Sequence, residues 1–63
     1  MKIDGKSTKW EIGTLVYARA NVDMAGIITG FLVRKTDLLY VISWSDQEEA
    51  NHWEFEITDE KPL

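Results

Sequence analysis

The stretch "YVISWSDQEEANHWEFEI", residues 40–57, holds most of the side chains whose types could do chemistry. Tyr40, Trp44, Trp53 and Phe55 offer electron-rich ring faces, and rings of this kind that converge on one point hold a cation through their quadrupoles. They are equally the kind of side chain that fills a small core. His52 is the single imidazole of the chain and the obvious general acid or base. It has no serine or cysteine nucleophile beside it, so it reads as a turn or surface residue. Its neighbours Glu49 and Glu54 offer it a pH-sensitive contact. "DQEE", residues 46–49, has neither the spacing nor the glycine pivot of a calcium loop. With no cysteine and one histidine, the sequence contains no zinc-ligand set and no thiol chemistry. No catalytic, cofactor or metal residue is assigned, and a non-enzymatic protein is expected.

Charge is distributed unevenly around these residues. Residues 1–45 carry six Lys or Arg against four acids, a balance of +2. Residues 46–63 carry seven acids against Lys61, a balance of −6. Clustered acid repels phosphate backbones and attracts basic partners. A solvated, aggregation-resistant edge and tail would have the same composition. Glu48 and Glu49 are the acids expected to meet a basic partner. Against a nucleic acid stands a pI near 4.7, with Arg19, Arg34 and Lys35 as the only basic group.

The elements that must position these residues are short. The chain has 63 residues, enough for one domain near the lower limit of independent folding. No apolar run is long enough for a membrane span and "MKIDGKSTKW" has no signal core, so a cytoplasmic protein is expected. Residues 1–9 read as a loosely ordered polar arm, 10–58 as the folded unit and 59–63 as an acidic tail. "TLVYAR" (14–19) is a first strand and "ANVDMAG" a loop. "IITGFLVRK" (27–35) is a second strand, bent at Gly30. "LLYVISWS" (38–45) is a third, and "DQEEAN" turns into a fourth short element. "HWEF" supplies one turn of 3-10 helix before a final strand in "EFEI". A helix competes only at 47–53, where seven uncapped residues would be marginal. Short strands at this spacing predict an all-β fold, a small five-stranded barrel being the economical way to remove edges.

"EIGTLVYAR", "GIITGF", "YVISWSD" and "EFEI", in that order, resemble the SH3-like barrels of the Tudor and chromo type. Gly26, Ile28 and Phe31 match the bent second strand, and Tyr40, Ile42 and Trp44 the third. Glu56-Ile57 stands where such families often have Glu-Leu. Small bacterial and phage proteins of this arrangement look most similar. The resemblance implies a barrel with a short helical turn before its last strand. In chromo-type readers it would also imply a methyl-lysine cage, for which Tyr17, Trp44 and Trp53 are the candidates by position. Fold is better supported than function by such a likeness.

Alternation puts Tyr40, Ile42 and Trp44 on one face of the third strand. The expected core is therefore Val16, Ile28, Tyr40, Ile42, Phe55 and Ile57, with Trp10 closing an open end. Core packing is favoured over a cage for these aromatics. Leu39 and Val41 fall on the opposite face, and Leu15, Ile27 and Val33 raise the same question in the first two strands. Leu39 and Val41 are accordingly expected at a homo-oligomer interface. The leading function is a small module binding a protein or basic peptide. The alternative is a nucleic-acid-binding barrel that stacks bases on its aromatics. More remote is an oligomeric enzyme resembling the plasmid-type dihydrofolate reductase, whose pore-lining Val-Gln-Ile-Tyr motif is missing here.

Overall fold

The structure is a computed structural model describing residues 2–21, 23–45 and 48–60. Two antiparallel sheets make up the fold. The smaller pairs β1 (Lys2–Ile3) with β2 (Lys6–Ser7). The larger contains β3 (Leu15–Ala18), β4 (Ala25–Val33), β5 (Leu38–Trp44), β6 (Ala50–His52) and β7 (Ile57–Thr58), in the order β6–β5–β4–β3–β7. A 3-10 turn at Glu54–Glu56 separates β6 from β7. The fold is all-β, as expected. The end strands β6 and β7 are not paired to each other, so hydrogen bonding does not close the sheet into a barrel.

The arm expected to be loosely ordered is instead a hairpin. Asp4 and Gly5 form its two-residue turn, both with positive φ, at 51° and 79°. That is the pattern of a type I′ turn, whose twist matches paired strands and which favours Asp-Gly. The hairpin leads into Lys9, whose backbone N–H donates to the Tyr40 hydroxyl at 2.8 Å.

β4 and β5 form the spine. Their register runs Ile28 opposite Ile42 and then Gly30 opposite Val41, which leaves Thr29 as an extra residue. The bend expected at Gly30 is this bulge, set one residue earlier. A bulge turns the following residues over. Ile28 and Phe31 therefore both face inward, three apart, opposite Ile42 and Tyr40. Gly26 lies opposite Trp44 and Val16. A Cβ there would come within 2.6 Å of the Ile42 side chain and 2.7 Å of the Trp44 ring, so only glycine lets the strands close.

The core comprises Trp10, Val16, Ile28, Tyr40, Ile42, Trp44 and Ile57. Five of the six expected core residues are in it. Phe55 is not: it is 72% exposed, because the 3-10 turn swings it away from the direction a continuing strand would give it. Trp10 is a core member packed edge-on to Tyr40, at 5.4 Å between centroids.

The face of the sheet away from the core differs from expectation at Leu39. Leu39 is only 8% exposed and Val41 is half-buried, so neither is open as the interface residues were expected to be. Across the sheet Leu39 pairs with Leu32 of β4. Leu15, Ile27 and Leu32 are exposed on the sheet, Leu15 and Ile27 being direct cross-strand partners, and Ile12 is exposed ahead of β3. Among the described residues no helix is long and apolar enough to cross a membrane.

Candidate functional site

The most unusual surface feature lies where β6 gives way to β7. Trp53 is extended, with φ −71° and ψ 155°, and the next three residues wind into the 3-10 turn. Glu56 holds that turn at both ends. Its backbone N–H donates to the Trp53 carbonyl at 3.0 Å, and its Oε1 accepts the Trp53 N–H at 2.8 Å. Arg19 N–H donates to the Glu56 carbonyl at 3.0 Å, joining the turn to the end of β3.

This geometry lays Phe55 against Trp53. The rings are 9° from parallel with centroids 6.2 Å apart, an offset stack. Trp53 is half-buried while Phe55 projects into solvent. The Arg34 guanidinium lies 5.9 Å from the Trp53 ring centre, close enough for a cation–π contact. Its Nε also lies 3.2 Å from Asp37 Oδ1, an ion pair without hydrogen-bond alignment. Asp37 thus offsets the Arg34 charge, and Glu54 and Glu56 set the sign around the aromatic pair.

Two further bonds fix the turn from beneath. Tyr40 donates from its hydroxyl to Glu54 Oε1 at 3.0 Å. Burial, opposed by the Lys9 N–H and reinforced by the Glu54 carboxylate, raises the Tyr40 pKa above the ordinary 10.0. The Trp44 indole N–H donates to His52 Nε2 at 2.9 Å, with the two rings packed edge to face. His52 Nδ1 is 3.9 Å from Glu56 Oε2. The acid beside His52 is therefore Glu56, not Glu49 or Glu54.

The three cage candidates are placed apart in role. Trp44 is buried and its indole is occupied by His52. Trp53 stacks on Phe55, and Tyr17 sits on β3 between Ala25 and Thr58. Among the described residues no ring contact joins any two of these three. Glu48 and Glu49 are exposed, and Glu49 Oε2 accepts a hydrogen bond from the Thr29 hydroxyl at 2.8 Å, across the bulge. Asp46 and Gln47 of "DQEE", Val22 of the first loop and residues 61–63 of the tail lie outside the described residues. Among the described residues no three His, Asp or Glu side chains gather as a metal site.

Sequence reasoning missed Phe55 and Arg34 as surface partners of Trp53. Nothing in the sequence warned of this at Phe55, since a half-buried strand also alternates an apolar residue with polar ones on both sides. Comparison of the chain with protein-family models, known proteins and solved structures finds no match.

Proposed function

We propose that this protein is a non-enzymatic interaction module that binds a basic, partly apolar segment of a protein partner through Trp53 and Phe55. The observation that carries the reading is Phe55 itself. A phenylalanine left in water forgoes the burial that usually stabilises a fold of this size. Here it is stacked on an indole within a hydrogen-bonded turn, and pre-positioned aromatics are the residues that anchor interfaces. Glu54 and Glu56 flank it, with Glu48 and Glu49 earlier in the same acidic segment. They favour Lys or Arg in the partner and speed encounter with it.

The frame supporting this surface fits the SH3-like reading. A bulged second strand of the main sheet and an acid-bearing 3-10 turn before the last strand both agree with the resemblance. A nucleic-acid partner is disfavoured by carboxylates on both sides of the exposed ring, which would face phosphates.

The test is a titration with a short peptide of alternating Arg and Leu, followed by indole fluorescence. Saturable binding that weakens with salt and is lost in Phe55→Ala supports the reading. Equal binding by Phe55→Ala, or tighter binding of single-stranded DNA than of the peptide, overturns it.

A further inference from the structure

We infer that protonation of His52 weakens the capture of a basic partner at the Trp53–Phe55 surface, by moving the imidazole from Trp44 to Glu56. The inference rests on the interaction-module reading and supplies its regulation.

The argument starts from hydrogen-bond bookkeeping. An indole nitrogen can only donate, so the 2.9 Å bond from Trp44 requires a lone pair on His52 Nε2. His52 in this arrangement is neutral, with its proton on Nδ1, the atom 3.9 Å from Glu56 Oε2. Protonation makes both ring nitrogens donors. Two N–H groups then oppose each other at Trp44 and that bond is lost. On the other side the imidazolium gains a charge-assisted partner in Glu56.

Glu56 is not a passive neighbour. The same carboxylate accepts the Trp53 N–H and so sets the turn that displays Phe55. Pairing it with an imidazolium cancels one of the two negative charges flanking that ring. The imidazolium faces Oε2 while Oε1 accepts the Trp53 N–H, so the pairing acts on the carboxylate that holds the turn.

The groups facing His52 come from β5 and the 3-10 turn. From β5 there are Trp44 and its register partner Tyr40, whose neutral hydroxyl donates to Glu54. From the 3-10 turn there is Glu56, whereas Glu49 is engaged by Thr29 and Glu54 by Tyr40. Arg34 of the β4–β5 turn lies instead against Trp53 and Asp37. A substitute for His52 that cannot be protonated separates its part from that of the carboxylates.

The experiment has two readouts, with wild type and His52→Gln compared at about pH 7.5 and 5.5. Glutamine retains a carbonyl acceptor for Trp44 and does not titrate. In wild type, the Trp44 indole N–H resonance should move as the histidine protonates. The Arg-Leu peptide should bind roughly threefold more weakly at the lower pH, and equally at both in His52→Gln. A Trp44 resonance that stays fixed through the histidine titration overturns the inference, as does the same pH dependence in His52→Gln. No peptide binding at either pH overturns the interaction reading and this inference with it. That outcome is distinguished from failure of the histidine step by a Trp44 resonance that still moves.

Discussion

Tyr40 and Glu54 are joined by a 3.0 Å hydrogen bond from phenol to carboxylate, across 14 residues of chain. The bond links a fully buried ring at the centre of β5 to the first residue of the turn that displays Phe55. Tyr40 also receives the Lys9 N–H, so one hydroxyl connects the N-terminal hairpin, the core and the candidate site.

Tyr40→Phe should therefore cost more than a surface hydroxyl. It leaves the Lys9 N–H without its acceptor and Glu54 without its donor, an expected loss of about 1–3 kcal/mol by chemical denaturation. The same residue predicts an alkaline effect. Its raised pKa means that the folded state favours the neutral phenol. That contribution is intact below the ordinary value of 10.0 and is lost as pH rises through the higher folded value. Wild type should lose stability more steeply above pH 10 than Tyr40→Phe. Parallel pH profiles for the two would contradict this.

Gly26→Ala tests the closeness of β4 and β5. The new methyl would meet Ile42 and Trp44 at 2.6 and 2.7 Å, with the Ser43 carbonyl at 3.0 Å. A loss of roughly 1–3 kcal/mol is expected, since the strand neighbours cannot all withdraw. An unchanged melting temperature would mean that the two strands pack less tightly at Gly26 than described.

Ile42→Ala and Phe55→Ala form a contrasting pair. Ile42 is fully buried, and its truncation should cost about 2–4 kcal/mol, enough to threaten so small a domain. Phe55 is largely exposed, and its truncation should change stability by only about 0.5 kcal/mol. Comparable destabilisation by both would return Phe55 to the core.

Trimethylation of a lysine in a bound peptide should bring no gain in affinity. A methyl-lysine cage needs converging free ring faces, whereas Trp44 is buried against His52 and Trp53 is covered by Phe55 on one face. Tighter binding of the trimethylated peptide, lost in both Tyr17→Ala and Trp44→Ala, would contradict the site described.

The sequence makes β3, β4 and β5 legible because their apolar alternation and bounding turn residues act locally. The inward set Tyr40, Ile42 and Trp44 follows from period two alone. The Asp4-Gly5 hairpin was also written locally, in a dipeptide that favours the type I′ turn, but lay in a segment polar enough to pass for an arm. Phe55 was not legible from hydrophobicity. Strand alternation and a 3-10 turn assign it opposite directions, and the Tyr40–Glu54 and Trp53–Glu56 bonds that decide for the turn are contacts of the folded chain. Leu39 was misplaced because alternation gives a face but not its cover. Leu39 is 8% exposed on that face, where its partner on β4 is Leu32.

Trp53 and Phe55 are proposed to receive a basic partner and Trp44 is not. Nuclear magnetic resonance distinguishes the three, because the indole N–H groups of Trp53 and Trp44 and the ring protons of Phe55 give separate signals. On titration with the Arg-Leu peptide at neutral pH, the Trp53 indole and Phe55 ring signals should shift together and saturate, with Trp44 nearly still. Saturating shifts centred on Tyr17 and Trp44, or none at Phe55 while the peptide binds, would contradict the account.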